Sequence, residues 1–177
     1  YVTKPFDIQE LRLRTRNALQ RSKMATMINP ATGLPDGKLV EEQLDHMLET
    51  QANWAVVGVS VQNLSIFRDQ YGFVAADDLL RAIAVMVSEA VNDNPLADFA
   101  GHLTTDALVL TSDTTRQAQL LAALKARLAP SMAYFYPLKD RTKAESQDGL
   151  RLKWVSVNAN QNETITDLLA HLRAALL

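Results

Sequence analysis

No cysteine occurs among the 177 residues, which excludes a disulfide framework and thiolate-held metal and sets the cytoplasm as the expected location. No apolar run approaches the roughly 20 residues of a membrane span, and no signal peptide is legible at Tyr1. Tyr1 stands where an initiator Met would, so the expectation is a soluble piece, itself without membrane contact, cut from a longer chain whose other parts are open to carrying an anchor. An excess of either charge is also missing: 18 Lys and Arg against 20 Asp and Glu leave a formal charge of −2, without the broad basic field that nucleic-acid binding needs. The three histidines, His46, His102 and His171, fall on separate expected elements with no zinc-ligand spacing. Ser60, Ser65 and Ser156 lack the His and Asp arrangement of an activated nucleophile. What the chain does have is 47% hydrophobic residues, enough for one globular domain of ordinary size plus an appendage.

The pattern along the chain alternates helices with strands. Asp7 and Glu10 have the spacing of a capping box, and a helix is expected from Asp7 to about Met27. Its basic side chains between Arg12 and Lys23 read as a solvated stalk face. Asn29 to Gly37 is dense in turn residues. A helix is expected from Lys38 to Glu49 with Leu39, Leu44, Met47 and Leu48 inward, and Trp54 to Val61 reads as a strand covered on both faces. The helix from Val74 to about Val91 carries Leu79, Leu80, Ile83, Val87 and Val91 on one stripe. Asp98 to Ser112 has the form of a β-hairpin with a polar break at Thr104 and Thr105. Beyond it come a helix from Thr114 to Leu128 capped by Asp113 or Thr114, an aromatic strand from Ser131 to Pro137, a mobile loop from Lys139 to Gly149, a strand from Leu150 to Val157, and a last helix starting at Thr164 or Ile165. Tyr134, Phe135 and Tyr136 read as core and edge aromatics.

Four segments carry a family resemblance. Asp98-Phe99-Ala100-Gly101-His102-Leu103-Thr104-Thr105-Asp106-Ala107-Leu108 resembles the signature hairpin of GGDEF domains, the diguanylate cyclases, with Thr104-Thr105-Asp106-Ala107-Leu108 standing for Gly-Gly-Asp-Glu-Phe. Thr32-Gly33-Leu34-Pro35 is similar to the start of those domains, the run from Asn63 to Leu80 to their segment after the first strand, and Val155-Ser156-Val157-Asn158 to their Val-Ser-Ile-Gly strand. The resemblance implies an α/β fold, an α+β sandwich whose mixed, largely antiparallel sheet is flanked by helices as in nucleotidyl cyclases, with an N-terminal helical arm. Lys4-Pro5-Phe6 followed by Asp7-x-x-Glu10-Leu11 resembles the tail of a response-regulator receiver domain, where the Pro is usually cis; Pro5 as an ordinary helix-start residue is equally open. The division that follows is 1–28 for receiver tail and signalling helix and 29–177 for the GGDEF-like domain.

Phosphodiester formation from two nucleoside triphosphates needs divalent metals, carboxylates to hold them, and backbone that can approach phosphates closely. In the resembled family an Asp at the end of the first strand and an acidic hairpin residue hold the metal; here those positions are Ser60 and Ala107, while Asp106 is kept. Thr104 and Thr105 replace the two glycines, and as β-branched residues are expected to stiffen the hairpin and close the pocket. The family's guanine-recognising Asn and Asp correspond to Arg68 and Asp77, the latter also suited to helix capping. Of the inhibitory Arg-x-x-Asp only Asp98 survives, in Pro95-Leu96-Ala97-Asp98. The resemblance and these substitutions together imply a degenerate output domain without cofactor, signalling through a protein partner or through a second copy paired by the N-terminal helix. Two alternatives stand beside it: a cyclase with altered ligation using magnesium and GTP, and a domain that holds GTP without turnover.

Overall fold

The computed structural model describes residues 27–50, 53–92, 99–159 and 163–177. The receiver-like tail, most of the expected signalling helix, and Asp98 lie outside the described residues. The elements run α1 (Lys38–Thr50), β1 (Trp54–Gln62), α2 (Leu64–Tyr71), α3 (Phe73–Asn92), β2 (Ala100–Thr104), β3 (Ala107–Asp113), α4 (Gln117–Leu128), two 3-10 segments (Ala129–Phe135 and Leu138–Glu145), β4 (Arg151–Asn158) and α5 (Ile165–Leu176).

The strands form one sheet in the order β2-β3-β1-β4. All three pairings of these strands are antiparallel, and the parallel contact is an isolated bridge between Asp36 and His102. Central β1 is buried on both faces, as its unbroken apolar run requires. Alternation along the strand divides the core. Val57, Val59 and Val61 pack beneath α2, α3 and α4, whereas Trp54 and Val56 pack beneath α1 and α5. Gly58 lies on the second face, and its missing side chain lets Leu176 settle on the sheet: a methyl there would stand 2.7 Å from Leu176 Cδ1.

The stripe on α3 is buried as its 3.6-residue period predicts, with Ala76 and Ala84 added to it. On α1 the buried residues are Val40, Leu44, Met47 and Leu48, and Leu39 is only half-buried. Gly37, at φ +54°, starts this helix one position before Lys38. The helix expected from Thr114 begins at Gln117, because the Asp113 carboxylate accepts the Thr115 amide at 2.8 Å and the Thr115 hydroxyl at 2.6 Å, and so closes a turn ahead of the helix. Thr164 caps α5, its hydroxyl accepting from the Asp167 amide at 3.2 Å.

Two expectations fail after α4. Ser131 to Pro137 is not a strand: Pro130 opens a 3-10 segment that buries Met132, and Tyr136 beyond it packs edge-on against Phe67 at 5.2 Å and Tyr71 at 5.5 Å. The Tyr136 hydroxyl accepts the Leu150 amide at 2.8 Å, so the aromatic serves the core as a single anchor. Lys139 to Gly149, expected as a mobile loop, is largely a second 3-10 segment, with Lys143 paired to Asp140 at 3.1 Å. No helix among the described residues is long and apolar enough to cross a membrane.

Candidate functional site

The signature hairpin closes at the end of the sheet where β1 runs into α2. Ser60 is the Cα partner of Ala107, and the Val61 amide donates to the Asp106 carbonyl at 2.9 Å. The first-strand position and the hairpin position are therefore direct cross-strand neighbours, one bearing a hydroxyl and the other a methyl. At the turn the Thr104 hydroxyl donates to Asp106 Oδ1 at 2.7 Å. A register shift between His102 and Thr104 marks a bulge in β2. Neither Thr104 nor Thr105 takes a positive φ, so the β-branched side chains are accommodated without strain.

They do not close the pocket. A cleft of about 570 Å³ lies between the hairpin, the β1–α2 junction and α5, and Ser60, Gln62, Arg68, Thr104, Asp106 and Arg173 all contribute to its wall.

The β1–α2 junction is held from behind. Asn63 takes a left-handed conformation at φ 63° and does not cap α2; its side-chain amide donates instead to the Gly149 carbonyl at 2.8 Å and the Gln147 carbonyl at 3.2 Å. Gln62 Nε2 donates to Ser60 Oγ at 2.7 Å and to the Leu176 carbonyl at 3.2 Å, tying strand, junction and last helix together.

Arg68 is half-buried, with its guanidinium 5.6 Å from the centre of the Phe73 ring. Its Nε is buried and makes no hydrogen bond among the described residues. Arg173 approaches Glu41 at 3.6 Å, both side chains about half exposed. Asp77 does not join them. It sits inside the second turn of α3 rather than at its start, so the capping role expected for it is not realised. It borders a separate hollow of about 330 Å³ with Asn29 and Arg81, and Thr105 borders both cavities.

Behind the hairpin, His102 is 1% exposed. Its Nε2 lies 2.7 Å from the Thr32 hydroxyl and its Nδ1 3.2 Å from the Thr104 carbonyl, while its amide donates to the Pro35 carbonyl at 2.7 Å. One imidazole thus links the Thr-Gly-Leu-Pro turn to the signature turn. Burial pushes its pKa below the usual 6.5, against smaller upward pulls from the Thr104 carbonyl and Asp36. The unfolded chain therefore takes the proton more readily. This contribution to stability is complete above pH about 6.5 and declines as the pH falls below it. Thermal melts between pH about 5 and 8 should show that decline, and His102→Gln should flatten it.

The donor set does not suit a pair of divalent ions. Asp106 is the one carboxylate among the described side chains lining the cleft, and no group of three His, Asp or Glu able to hold a metal occurs among the described residues. Hard cations draw their binding energy from negative oxygens, and hydroxyls such as that of Ser60 replace them poorly.

Of the residues singled out in the sequence, the fold brings Ser60, Arg68, Thr104, Thr105, Asp106 and Ala107 around one cleft and leaves Asp77 beside it. Sequence reasoning missed Gln62 and Arg173. Arg173 is more than 100 positions from Ser60 in the chain, and only the packing of α5 beside β1 joins them.

Comparison with known proteins agrees with this fold. A curated relative, the cyclic di-GMP phosphodiesterase PdeR of Escherichia coli K12, is 28% identical over 116 residues, 64% of this chain, and the match spans 17% of that protein's length. The coiled coil and GGDEF domain of DgcB from Caulobacter crescentus, solved with c-di-GMP, superposes with a TM-score of 0.70 at 16% identity over 95% of this chain and 87% of that one. Diguanylate cyclase SiaD from Pseudomonas aeruginosa, solved with its activator SiaC, gives 0.68 at 17% identity over 95% and 63%. The model of the diguanylate cyclase GGDEF domain matches residues 26–177, and this chain belongs to the GGDEF domain family.

Proposed function

We propose that this is a catalytically inactive GGDEF output domain of a two-component response regulator, which passes its signal on through protein–protein contacts within cyclic di-GMP signalling. The observation that carries the reading is the cross-strand pair Ser60–Ala107. At the two positions where the family holds metal, side by side on adjacent strands, neither side chain can supply a negative oxygen. Cyclisation gains its rate from cations that neutralise developing charge on phosphate, and one carboxylate at Asp106 does not gather them. Phe73 and Val74, 73% and 75% exposed at the start of α3, support a role in protein contact, because neighbouring large apolar side chains on a surface mark interaction sites. The partner is a second protein or a second copy engaged through the segment that precedes the domain.

Incubation of the full-length protein with GTP and Mg²⁺ or Mn²⁺ tests this. The expected result is no cyclic di-GMP above the protein-free control. Reproducible product that disappears in Asp106→Ala would overturn it.

A further inference from the structure

We propose that the two 3-10 segments after α4 form a docking surface for another protein, and that the part of it that docks is an acidic stretch carrying large apolar side chains. The inference rests on the reading that the domain signals through protein contacts, and adds where one such contact is made and by what chemistry.

The first segment gives Met132 to the core and Tyr136 follows it there, but Tyr134 between them is 70% exposed and Leu138, which opens the second segment, is 79% exposed. Large apolar side chains brought together on a surface cost hydration free energy until something covers them. Arg141 ties the two segments together at this point, because its guanidinium lies 5.1 Å from the centre of the Tyr134 ring. A stacked tyrosine and arginine make a good anchor. Both are stiff, planar groups that lose little freedom when covered, and binding energy at protein interfaces concentrates on such residues.

Charge selects the partner. Lys139, Arg141 and Lys143 are all exposed on the second segment, whereas Asp140 is half-buried and pairs with Lys143 at 3.1 Å, and Glu145 stands at the far end. Lys139 and Arg141 form no ion pair among the described residues. Two uncompensated cations therefore flank the exposed tyrosine and leucine, and a partner that covers the apolar pair must bring carboxylates to meet them. Two are too few for other anionic surfaces: membranes are held by clusters of roughly 4–8 Lys and Arg, and nucleic acid by a basic face that a chain of formal charge −2 does not have. The surface is also fixed before anything binds. The Asp140 amide donates to the Pro137 carbonyl at 2.8 Å and the Ser146 amide to the Lys143 carbonyl at 3.0 Å, while the Tyr136 hydroxyl holds the Leu150 amide. Docking on it therefore costs little ordering of this chain.

The test is fluorescence anisotropy of a labelled peptide of Asp-Glu-Leu-Phe repeats titrated with the full chain, beside two control peptides, one with Lys for both acids and one with Ser for Leu and Phe. The acidic apolar peptide should bind, each control should bind about 10-fold more weakly or not at all, and added salt should loosen the complex. Tyr134→Ala and Arg141→Glu should each weaken binding about 10-fold, and Arg141→Lys, which keeps the charge, should recover most of that loss. Phe73→Ser, at the other exposed apolar site, should leave it unchanged. All these positions are exposed, so the variants should melt with the wild type. Equal binding of all three peptides, binding of none, or a loss with Phe73→Ser that Tyr134→Ala and Arg141→Glu do not produce would overturn the proposal. So would attachment to phosphatidylserine-containing vesicles that Arg141→Glu abolishes, or self-association that Tyr134→Ala abolishes, since the surface would then belong to a membrane or to a second copy. Cyclic di-GMP made from GTP by a chain that still binds the peptide would instead overturn the reading of the domain as inactive and leave the surface standing, so the two failures are distinguishable.

Discussion

Gly149→Ala is expected to lower stability by about 2–3 kcal/mol, near the upper end for an overpacked site. At about 2–4 °C per kcal/mol for a chain of this size, the midpoint of a thermal melt should fall by about 5–10 °C. The reason lies in what surrounds the missing side chain. A methyl on Gly149 would stand 2.4 Å from the Ala144 carbonyl oxygen and 2.6 Å from that of Lys143. These are backbone atoms of the second 3-10 segment and cannot rotate aside. The segment must move, yet it is fixed on both sides: Ser146 donates its amide to Lys143 at 3.0 Å, Gly149 donates to Ser146 at 3.1 Å, and Asn63 donates to the Gly149 carbonyl. Displacement would break the last bond first and loosen the β1–α2 junction that forms one wall of the cleft. Gly58→Ala is the control. Its methyl meets the end of the Leu176 side chain at 2.7 Å, which can change rotamer near the end of α5, and the loss should be about 1 kcal/mol. If Gly149→Ala melts with the wild type, the segment is not held as described.

How much of this was legible beforehand depends on whether the cause was local. The apolar run of β1, the stripe on α3 and the start of α5 at Ile165 are properties of consecutive residues, and each stands where the pattern placed it. The hairpin too is local, whereas the pairing of Ser60 with Ala107 comes from the order of the strands in the sheet. The stretch from Ser131 to Pro137 was misread because aromatic residues favour strands on average, whereas here Pro130 starts a 3-10 turn and the Tyr136 hydroxyl finds an amide 14 residues away. Tertiary contact overrode propensity. The closing of the pocket by Thr104 and Thr105 was misjudged on the same ground: side-chain bulk is in the sequence, but the register shift that shapes the end of β2 is a feature of strand pairing. Arg173 was invisible because no short motif connects it to the hairpin. Its role depends on α5 crossing the sheet above Gly58, where the absent Cβ admits Leu176.

Restoring the two carboxylates should restore cation binding. In the double variant Ser60→Asp with Ala107→Glu, affinity for Mg²⁺ or Mn²⁺ should rise on the order of 100-fold over the wild type, as expected when primary oxygen ligands are supplied to a preformed wall. The two positions are opposite each other on antiparallel strands, where paired Cβ atoms stand about 4.5–5.5 Å apart, close enough for both carboxylates to share an ion with Asp106 nearby. The same proximity makes the metal-free variant unstable, since like charges directly across a ladder repel. It should therefore melt below the wild type in EDTA and recover on adding Mg²⁺, by about 2.7 kcal/mol when the free ion is at 100 times its dissociation constant. Wild type, lacking the ligands, should show no such recovery. Cyclic di-GMP is not expected to return with the ion, because Thr104 and Thr105 still put side chains where the family's backbone meets phosphate, and Arg68 still occupies the position of its guanine-reading Asn. Should the double variant ignore magnesium in both the melt and the titration, Ser60 and Ala107 would not be the positions at which this fold lost its metal. Should it bind magnesium and make cyclic di-GMP, the missing carboxylates alone would account for inactivity, and the threonines of the hairpin would carry none of it.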